Sequence, residues 1–120
     1  MRILALMHEH SEQVDAVAAA LPAGDGALEV SGDGPLAAAL RSRLGCGSPN
    51  DADPPPAVLV ETTGGAQAIR DALWRVADLG TVVLAGELEA GPVELDLYGD
   101  LHVRGLTIVG VAPAAGAGAP

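Results

Sequence analysis

Residues 27–45 read ALEVSGDGPLAAALRSRLG, and this stretch decides the fold. Its first residues are mostly apolar and predict a short strand, which is followed at once by Gly32 and Gly34. Pro35 then suits the first position of a helix, because it has no backbone N–H to leave unbonded. The helix carries its leucines on one face, at Leu36, Leu40 and Leu44. The stretch therefore predicts a strand, a tight turn and a helix in direct succession.

The same alternation continues on both sides of this stretch. Before it, an apolar run at 2–7 predicts a strand, and residues 12–21 predict an amphipathic helix. After it come predicted strands at 57–60, 81–85 and 106–109, a helix at 66–77 and an extended piece at 93–97. Continuous apolar strands between amphipathic helices are typical of parallel sheets whose two faces are covered by crossover helices. The sequence therefore predicts an α/β fold with a mostly parallel sheet of about five or six strands.

The length of the chain, 120 residues, gives room for one domain with one hydrophobic core. We assign residues 1–111 to this domain. Within it, residues 46–56 contain four prolines and predict an irregular surface connection. Residues 112–120 consist of Ala, Gly and Pro only, a composition that predicts a disordered tail.

Acidic residues outnumber basic ones by 16 to 6, which gives a net charge of −10. A surface this acidic repels nucleic acid and anionic membranes, so we expect neither as a partner. The single cysteine, Cys46, excludes an internal disulfide and a multi-cysteine zinc site. The apolar start of the chain is too short for a signal peptide or a membrane span. We therefore expect a cytoplasmic protein.

The glycine turn also carries a recognisable spacing, Gly32-x-Gly34-x-x-Ala37, between a strand and a helix. Two further blocks follow in order, AVLVETTGGAQAIRDALWRVADLGTVVLAG at 57–86 and LDLYGDLHVRGLTIVG at 95–110. Together the three blocks resemble the Rossmann cofactor-binding domain of the medium-chain, zinc-type alcohol dehydrogenase family. The resemblance covers roughly residues 22–111 and implies a Rossmann-like α/β fold.

By this resemblance, the pyrophosphate of NAD or NADP would lie against the glycine turn, where a helix N-terminus holds its charge. The implied cofactor residues are Gly32, Gly34, Pro35 and Leu36 at the turn, and Thr62, Thr63, Ala85 and Gly86 on the nicotinamide side. Two features oppose this interpretation. Glycines at such positions also serve only to make tight turns. Asp33 would bring a carboxylate close to the pyrophosphate, and like charges repel.

The chain departs from the family in two ways that bear on function. Nothing in it corresponds to the family's N-terminal catalytic domain with its zinc ligands, so we expect no zinc and no complete dehydrogenase. The strand whose terminal acidic residue binds the adenosine ribose is missing between the glycine-turn helix and residues 57–60. Residues 1–26 have the pattern of that missing unit, and we interpret them as a permuted copy in which Glu9 lies near the ribose hydroxyls.

No set of side chains in the sequence completes a catalytic site, so the catalytic residues stay unassigned. His8 and His10 flank an acidic residue but have no further ligand evident nearby, and we expect no metal. His102 and Tyr98 lack a third partner, and His102 is expected to face solvent. Trp74 lies on a predicted helix, where an anchor in the core is favoured over an interface.

The last predicted strand, 106–109, is apolar and expected at the sheet edge, where it would pair with a second copy or with a partner protein. Three functions stay open. The first is a dinucleotide-binding module that works with another protein. The second is an accessory or interaction subunit that has lost cofactor binding. The third is a small stand-alone oxidoreductase, and the fold alone does not decide among them.

Overall fold

The computed structural model describes residues 11–22, 27–46, 54–86 and 93–111. In chain order the elements are α1 (Ser11–Ala20), β1 (Leu28–Ser31), α2 (Pro35–Leu44), β2 (Val58–Glu61), α3 (Ala66–Arg75), β3 (Thr81–Leu84), a π-helix (Leu97–His102) and β4 (Thr107–Gly110). The predicted strands and helices in these ranges are confirmed, with ends that move by one or two residues. None of the helices described is long and apolar enough to cross a membrane.

The strands form one parallel sheet in the order β1-β2-β3-β4. This confirms the α/β fold. The described residues contain four strands, where about five or six were predicted for the chain. The predicted strand at 2–7 lies outside the described residues. The extended piece predicted at 93–97 is not a strand, because Val93 and Leu95 pack on the sheet face while the carbonyl of Glu94 accepts a hydrogen bond from Arg70.

Each face of the sheet is covered by its own helices. On one face α1 and α2 pack on Val30, Val60 and Val83, which lie side by side in the strand register. On the other face α3 packs on Leu59 and Val82. These residues are almost completely buried, as expected for a parallel sheet enclosed between helices.

The two crossovers between the first three strands have opposite hands. From β1 to β2 and from β2 to β3 the chain moves in the same direction across the sheet, yet α2 and α3 lie on opposite faces. About 98% of such connections are right-handed, so one of these two belongs to the rare left-handed class.

Trp74 corrects one expectation from the sequence, since its side chain is 66% exposed and does not anchor the core. The helix α3 turns Ile69 and Leu73 toward the sheet. Successive helical residues differ by about 100° in direction, so the position after Leu73 faces outward. The indole N–H donates to Asp100 Oδ1 at 3.3 Å.

Candidate functional site

The loops after β1, β2 and β3 meet at the carboxyl ends of the strands. Gly32 has a φ of +124°, and a methyl group added there would come within 2.1 Å of Thr62 Oγ1. A methyl group on Gly86 would come within 2.2 Å of the Thr62 carbonyl oxygen. The structure therefore brings Gly32, Thr62 and Gly86 together, and packing between the loops already requires both glycines.

Gly34 behaves differently from Gly32. It is the N-cap of α2 with φ −81° and ψ −179°, an extended conformation that any residue adopts. A methyl group added to it would meet nothing within 4 Å. The fold therefore does not require glycine at this position, and the space beside its backbone is open.

The N-terminus of α2 has no side-chain cap, although Asp33 immediately precedes the N-cap. Pro35 has no N–H, so the amides of Leu36 and Ala37 are the first donors of the helix. Asp33 is exposed, and its carboxylate makes no hydrogen bond in the described part of the chain. The helix begins at this edge with free backbone donors and the positive end of its dipole.

The turn after β2 is held by Glu61, whose side chain is buried. Its carboxylate accepts hydrogen bonds from the Thr63 N–H (2.8 Å), the Thr63 hydroxyl (2.5 Å) and the Gly64 N–H (2.8 Å). The Thr62 hydroxyl donates to the Ser31 carbonyl at 2.6 Å. The Thr62 hydroxyl therefore joins this turn to the end of β1, and the Thr63 hydroxyl holds its own turn together. Glu61 was not predicted from the sequence, because an acidic residue at a strand end has no local signal that separates a turn from a ligand contact.

Gln13 brings α1 to the same edge. Its side chain is buried, and Nε2 donates to the carbonyl of Ala85, directly after β3, at 3.3 Å. Gln13 Oε1 is also buried and has no hydrogen-bond partner within the described ranges. The sequence analysis missed this residue, although Gln13 lies four positions before the buried Val17 and so on the core-facing side of α1.

Arg41 fixes the backbone that leads into the glycine turn. Its Nη2 donates to the carbonyls of Val30 (2.7 Å) and Gly32 (2.6 Å). The carbonyl of Ser31 points the other way and accepts from Thr62 of the β2 side. Since the backbone groups of successive strand residues point to opposite sides, the carbonyls that Arg41 bonds are those on the outer side of β1, away from β2. This role was not predicted, because an arginine in a helix has no sequence signal for it.

The remaining candidate residues do not form a catalytic set. Glu9, His8 and His10 lie outside the described residues, so their roles stay predictions. Across the ranges that are described, no group of three or more His, Cys, Asp and Glu side chains is placed to hold a metal. His102 is exposed, as predicted, and stacks on Tyr98 with ring centroids 5.4 Å apart.

The Cys46 thiol lies just past α2 and is partly buried. Burial raises its pKa above the ordinary value, and the nearby Arg41 charge opposes this shift. The thiol is therefore protonated near neutral pH, which disfavours a nucleophilic role.

The fold can be compared with solved structures. It is similar to 2R,3R-butanediol dehydrogenase from Bacillus subtilis, with a TM-score of 0.69 and 16% identity over 90% of this chain and 41% of that one. The chain shares the fold of zinc-binding dehydrogenases. A second similar structure, named as a zinc-binding dehydrogenase from Sinorhizobium meliloti 1021 and bound to NADP, has a TM-score of 0.65 and 16% identity over 82% of this chain and 41% of that one.

These similarities confirm the predicted Rossmann-like fold. The chain spans about two fifths of the length of each of the two dehydrogenases. The sequence itself matches no protein-family model and no curated protein.

Proposed function

We propose that the chain binds a dinucleotide of the NAD or NADP type at the carboxyl ends of its strands, and that a separate protein supplies the chemistry. The pyrophosphate would lie at the N-terminus of α2, against Gly34 and the amides of Leu36 and Ala37. The similar structure that holds NADP has the same fold. Ligands of such sheets bind outside the carboxyl ends of the strands, which is the edge proposed here.

The contrast between Gly32 and Gly34 carries this proposal. Loop packing accounts for Gly32, because any side chain there would collide with Thr62. No contact among the described residues accounts for Gly34, whose backbone is extended and whose surroundings there are open. A glycine that the fold does not need is expected where a ligand must approach the backbone closely.

On the nicotinamide side we propose the backbone of Ala85 and Gly86, with Thr62 and Thr63 shaping the turn beside them. The hydroxyls of the two threonines already bond within the fold, so their contribution would be to position the loop. The Gln13 side-chain oxygen, which has no partner among the described residues, lies at the end of β3 as well, on the same carbon as the amide nitrogen that bonds to Ala85. We also propose that Glu9 lies near the ribose hydroxyls of the dinucleotide.

A second candidate is an accessory subunit that keeps the fold without the ligand. Asp33 favours it, because its exposed carboxylate lies next to the proposed pyrophosphate site, and like charges there oppose binding. In either case we propose that a second copy or a partner protein pairs with the β4 edge. No arrangement of side chains in the described residues supports the third candidate, a stand-alone oxidoreductase.

The test is a calorimetric titration of the purified protein with NAD(H) and NADP(H). Saturable binding is expected, and Gly34→Asp should abolish it by placing a charged side chain against the pyrophosphate. Ala38→Asp is the matched control, because it adds the same charge to an exposed position one turn along α2. Absence of binding at millimolar dinucleotide would favour the accessory subunit, and equal binding by both variants would show that the dinucleotide does not lie against Gly34.

A further inference from the structure

The chain contains one tryptophan, one tyrosine and no phenylalanine. Trp74 and Tyr98 are both at the surface, where they are 66% and 70% exposed. Large aromatic side chains normally contribute to the core, since each buries a large apolar area. This chain builds its core from aliphatic residues and places both aromatic residues in solvent.

All the large hydrophobic side chains that are exposed in the described residues share one region. They are Trp74, Leu79, Leu97, Tyr98 and Val103, and we call them the aromatic patch. Each lies on the segment 97–105 or against it. Trp74 bonds Asp100 of this segment, and Leu79 contacts Gly105, where an added methyl group would come within 2.7 Å of the leucine side chain.

The patch includes an open depression of about 520 Å³. Its lining consists of Leu97, Tyr98, Leu101, His102, Gly105 and Leu106. The depression precedes β4, so it lies toward the amino ends of the strands, opposite the edge proposed for the dinucleotide. A molecule bound there would leave that edge accessible.

The fold holds the patch in place. Asp96 accepts a hydrogen bond from the Gly99 N–H (3.1 Å), and Asp100 accepts one from the Asp96 N–H (3.1 Å). Arg104 donates to the carbonyls of Leu73 and Val76 and so ties the segment to α3. A surface that is already ordered loses little conformational entropy on binding, which favours recognition of a partner.

Leu79 gives an independent indication of function. It is the only non-glycine residue with a positive φ in the described ranges, at +64°, and it is 82% exposed. The left-handed backbone is unfavourable for a residue with a side chain, because its Cβ comes too close to the following carbonyl oxygen. A glycine would avoid this cost, and an exposed leucine gains nothing from the core. Strain of this kind is found where a side chain serves recognition.

The charges around the patch indicate the kind of partner. The carboxylates on the patch or next to its residues are Asp78, Asp96 and Asp100. Its arginines are engaged, since Arg104 pairs with Asp78 at 2.8 Å and Arg70 donates to the Glu94 carbonyl. A second copy would bring an identical acidic rim and a further net charge of −10 to the contact. Electrostatic complementarity therefore favours a basic partner.

We propose that the aromatic patch is the docking surface for another protein, which inserts an apolar side chain into the depression and places Lys or Arg against the acidic rim. Tryptophan and tyrosine are the residues that most often dominate the binding energy of such contacts. This inference does not depend on dinucleotide binding, because it concerns the opposite end of the strands.

The test uses the fluorescence of Trp74, the only tryptophan in the chain. The full chain is titrated with a synthetic amphipathic helical peptide of leucine and lysine, and with the same peptide carrying glutamate in place of lysine. We expect a saturable blue shift of the emission with the lysine peptide, and binding at least about tenfold weaker with the glutamate peptide. Equal binding of the two peptides, or no shift with either, would overturn the proposal.

Variants separate the patch from general charge effects. Leu97→Ser combined with Val103→Ser should weaken binding of the lysine peptide by about tenfold or more, while Trp74 is retained as the reporter. Ala19→Ser combined with Ala38→Ser is the control, because both alanines are exposed on helices of the other face. Equal weakening in the two double variants would count against the patch.

Other occupants give distinct results, each of which overturns the proposal. A dimer seen by light scattering that the patch variant dissociates would assign the surface to a second copy. Blue-shifted emission in the free chain would assign it to a segment of the chain itself. A shift with phosphatidylcholine vesicles and with neither peptide would make it a membrane contact.

Discussion

The two edges of the sheet end in different ways. At the β1 edge, the outward carbonyls of Val30 and Gly32 are bonded by Arg41. At the β4 edge, the outward groups belong to Ile108 and Gly110, and no side chain of the described residues bonds to them. Unpaired edges invite pairing with another chain. Within the described residues, the β1 edge is therefore closed by a side chain of the fold and the β4 edge is left available.

The outward direction of Ile108 and Gly110 follows from their neighbours. The N–H of Thr107 donates to the carbonyl of Gly80, directly before β3, and the N–H of Val111 donates to the carbonyl of Leu84, at the end of β3. Residues between them point to the opposite side, because backbone groups alternate along a strand. Pairing through β4 would therefore use the groups of Ile108 and Gly110.

Replacing Arg41 is expected to have the largest effect on this comparison. Arg41→Met keeps the aliphatic stem but removes two charge-assisted hydrogen bonds, so the free energy of unfolding should fall by about 2–3 kcal/mol. The freed β1 edge should also make the protein self-associate as its concentration rises. Urea unfolding and light scattering measure the two effects.

Arg43→Met is the matched control on the same helix. Arg43 pairs with Asp15 at 2.7 Å, but the two side chains are 52% and 67% exposed. Such surface pairs contribute about 0–1 kcal/mol, and no edge is opened. If both variants lost the same stability and neither associated, the edge-closing role of Arg41 would be wrong.

Proline substitutions distinguish the two sides of β4. Val111→Pro removes the N–H that donates to Leu84 at 2.9 Å, so the free energy of unfolding should fall by about 1–2 kcal/mol. Gly110→Pro removes an outward N–H, and nothing lies within 4 Å of a Cβ added there. It should leave stability nearly unchanged and weaken any association through this edge. Equal destabilisation by both prolines, measured by urea unfolding, would show that the N–H of Gly110 does not point away from β3.

The smallest expected effect is on the alkylation rate of the Cys46 thiol, which lies just past α2. Burial raises its pKa, and the Arg41 charge lowers it. Arg41→Met should therefore raise the pKa further and move the pH profile of iodoacetamide alkylation to higher pH. Thiolate is the reactive form, so alkylation at a fixed pH below the pKa should slow. Arg43→Met should leave the profile in place, and a shift toward lower pH in Arg41→Met would contradict the geometry.

Much of the fold could be predicted from local patterns. Short apolar runs gave the strands, and leucines on one face gave α2. The turn at Gly32 was also predictable, since a positive φ between a strand and a helix favours glycine. The prediction that Trp74 anchors the core was wrong. Trp74 is adjacent to the buried Leu73, and a small error in helical phase decides which of the two residues faces the core.

The parts of the site that were missed depend on contacts between distant segments. Gln13 bonds to a carbonyl 72 residues away, and Arg41 bonds to the backbone of the preceding strand. No sequence pattern predicts either bond, because a long polar side chain on a helix is normally expected to face solvent. Gly34 was predicted as a cofactor residue from its spacing. Only the structure shows that it differs from Gly32, because a Cβ would collide with Thr62 at Gly32 and would meet nothing at Gly34.

The bond between Gln13 and Ala85 has a consequence for the order in which the chain folds. Helix α1 packs on Val83 and Ala85, which leave the ribosome some 72 residues after Gln13 does. Contacts this distant in sequence close slowly and cannot form while the chain is incomplete. Helix α1 is the first of the described helices to be made, yet it cannot complete its packing until β3 has emerged, and until then part of its apolar side remains available to a chaperone.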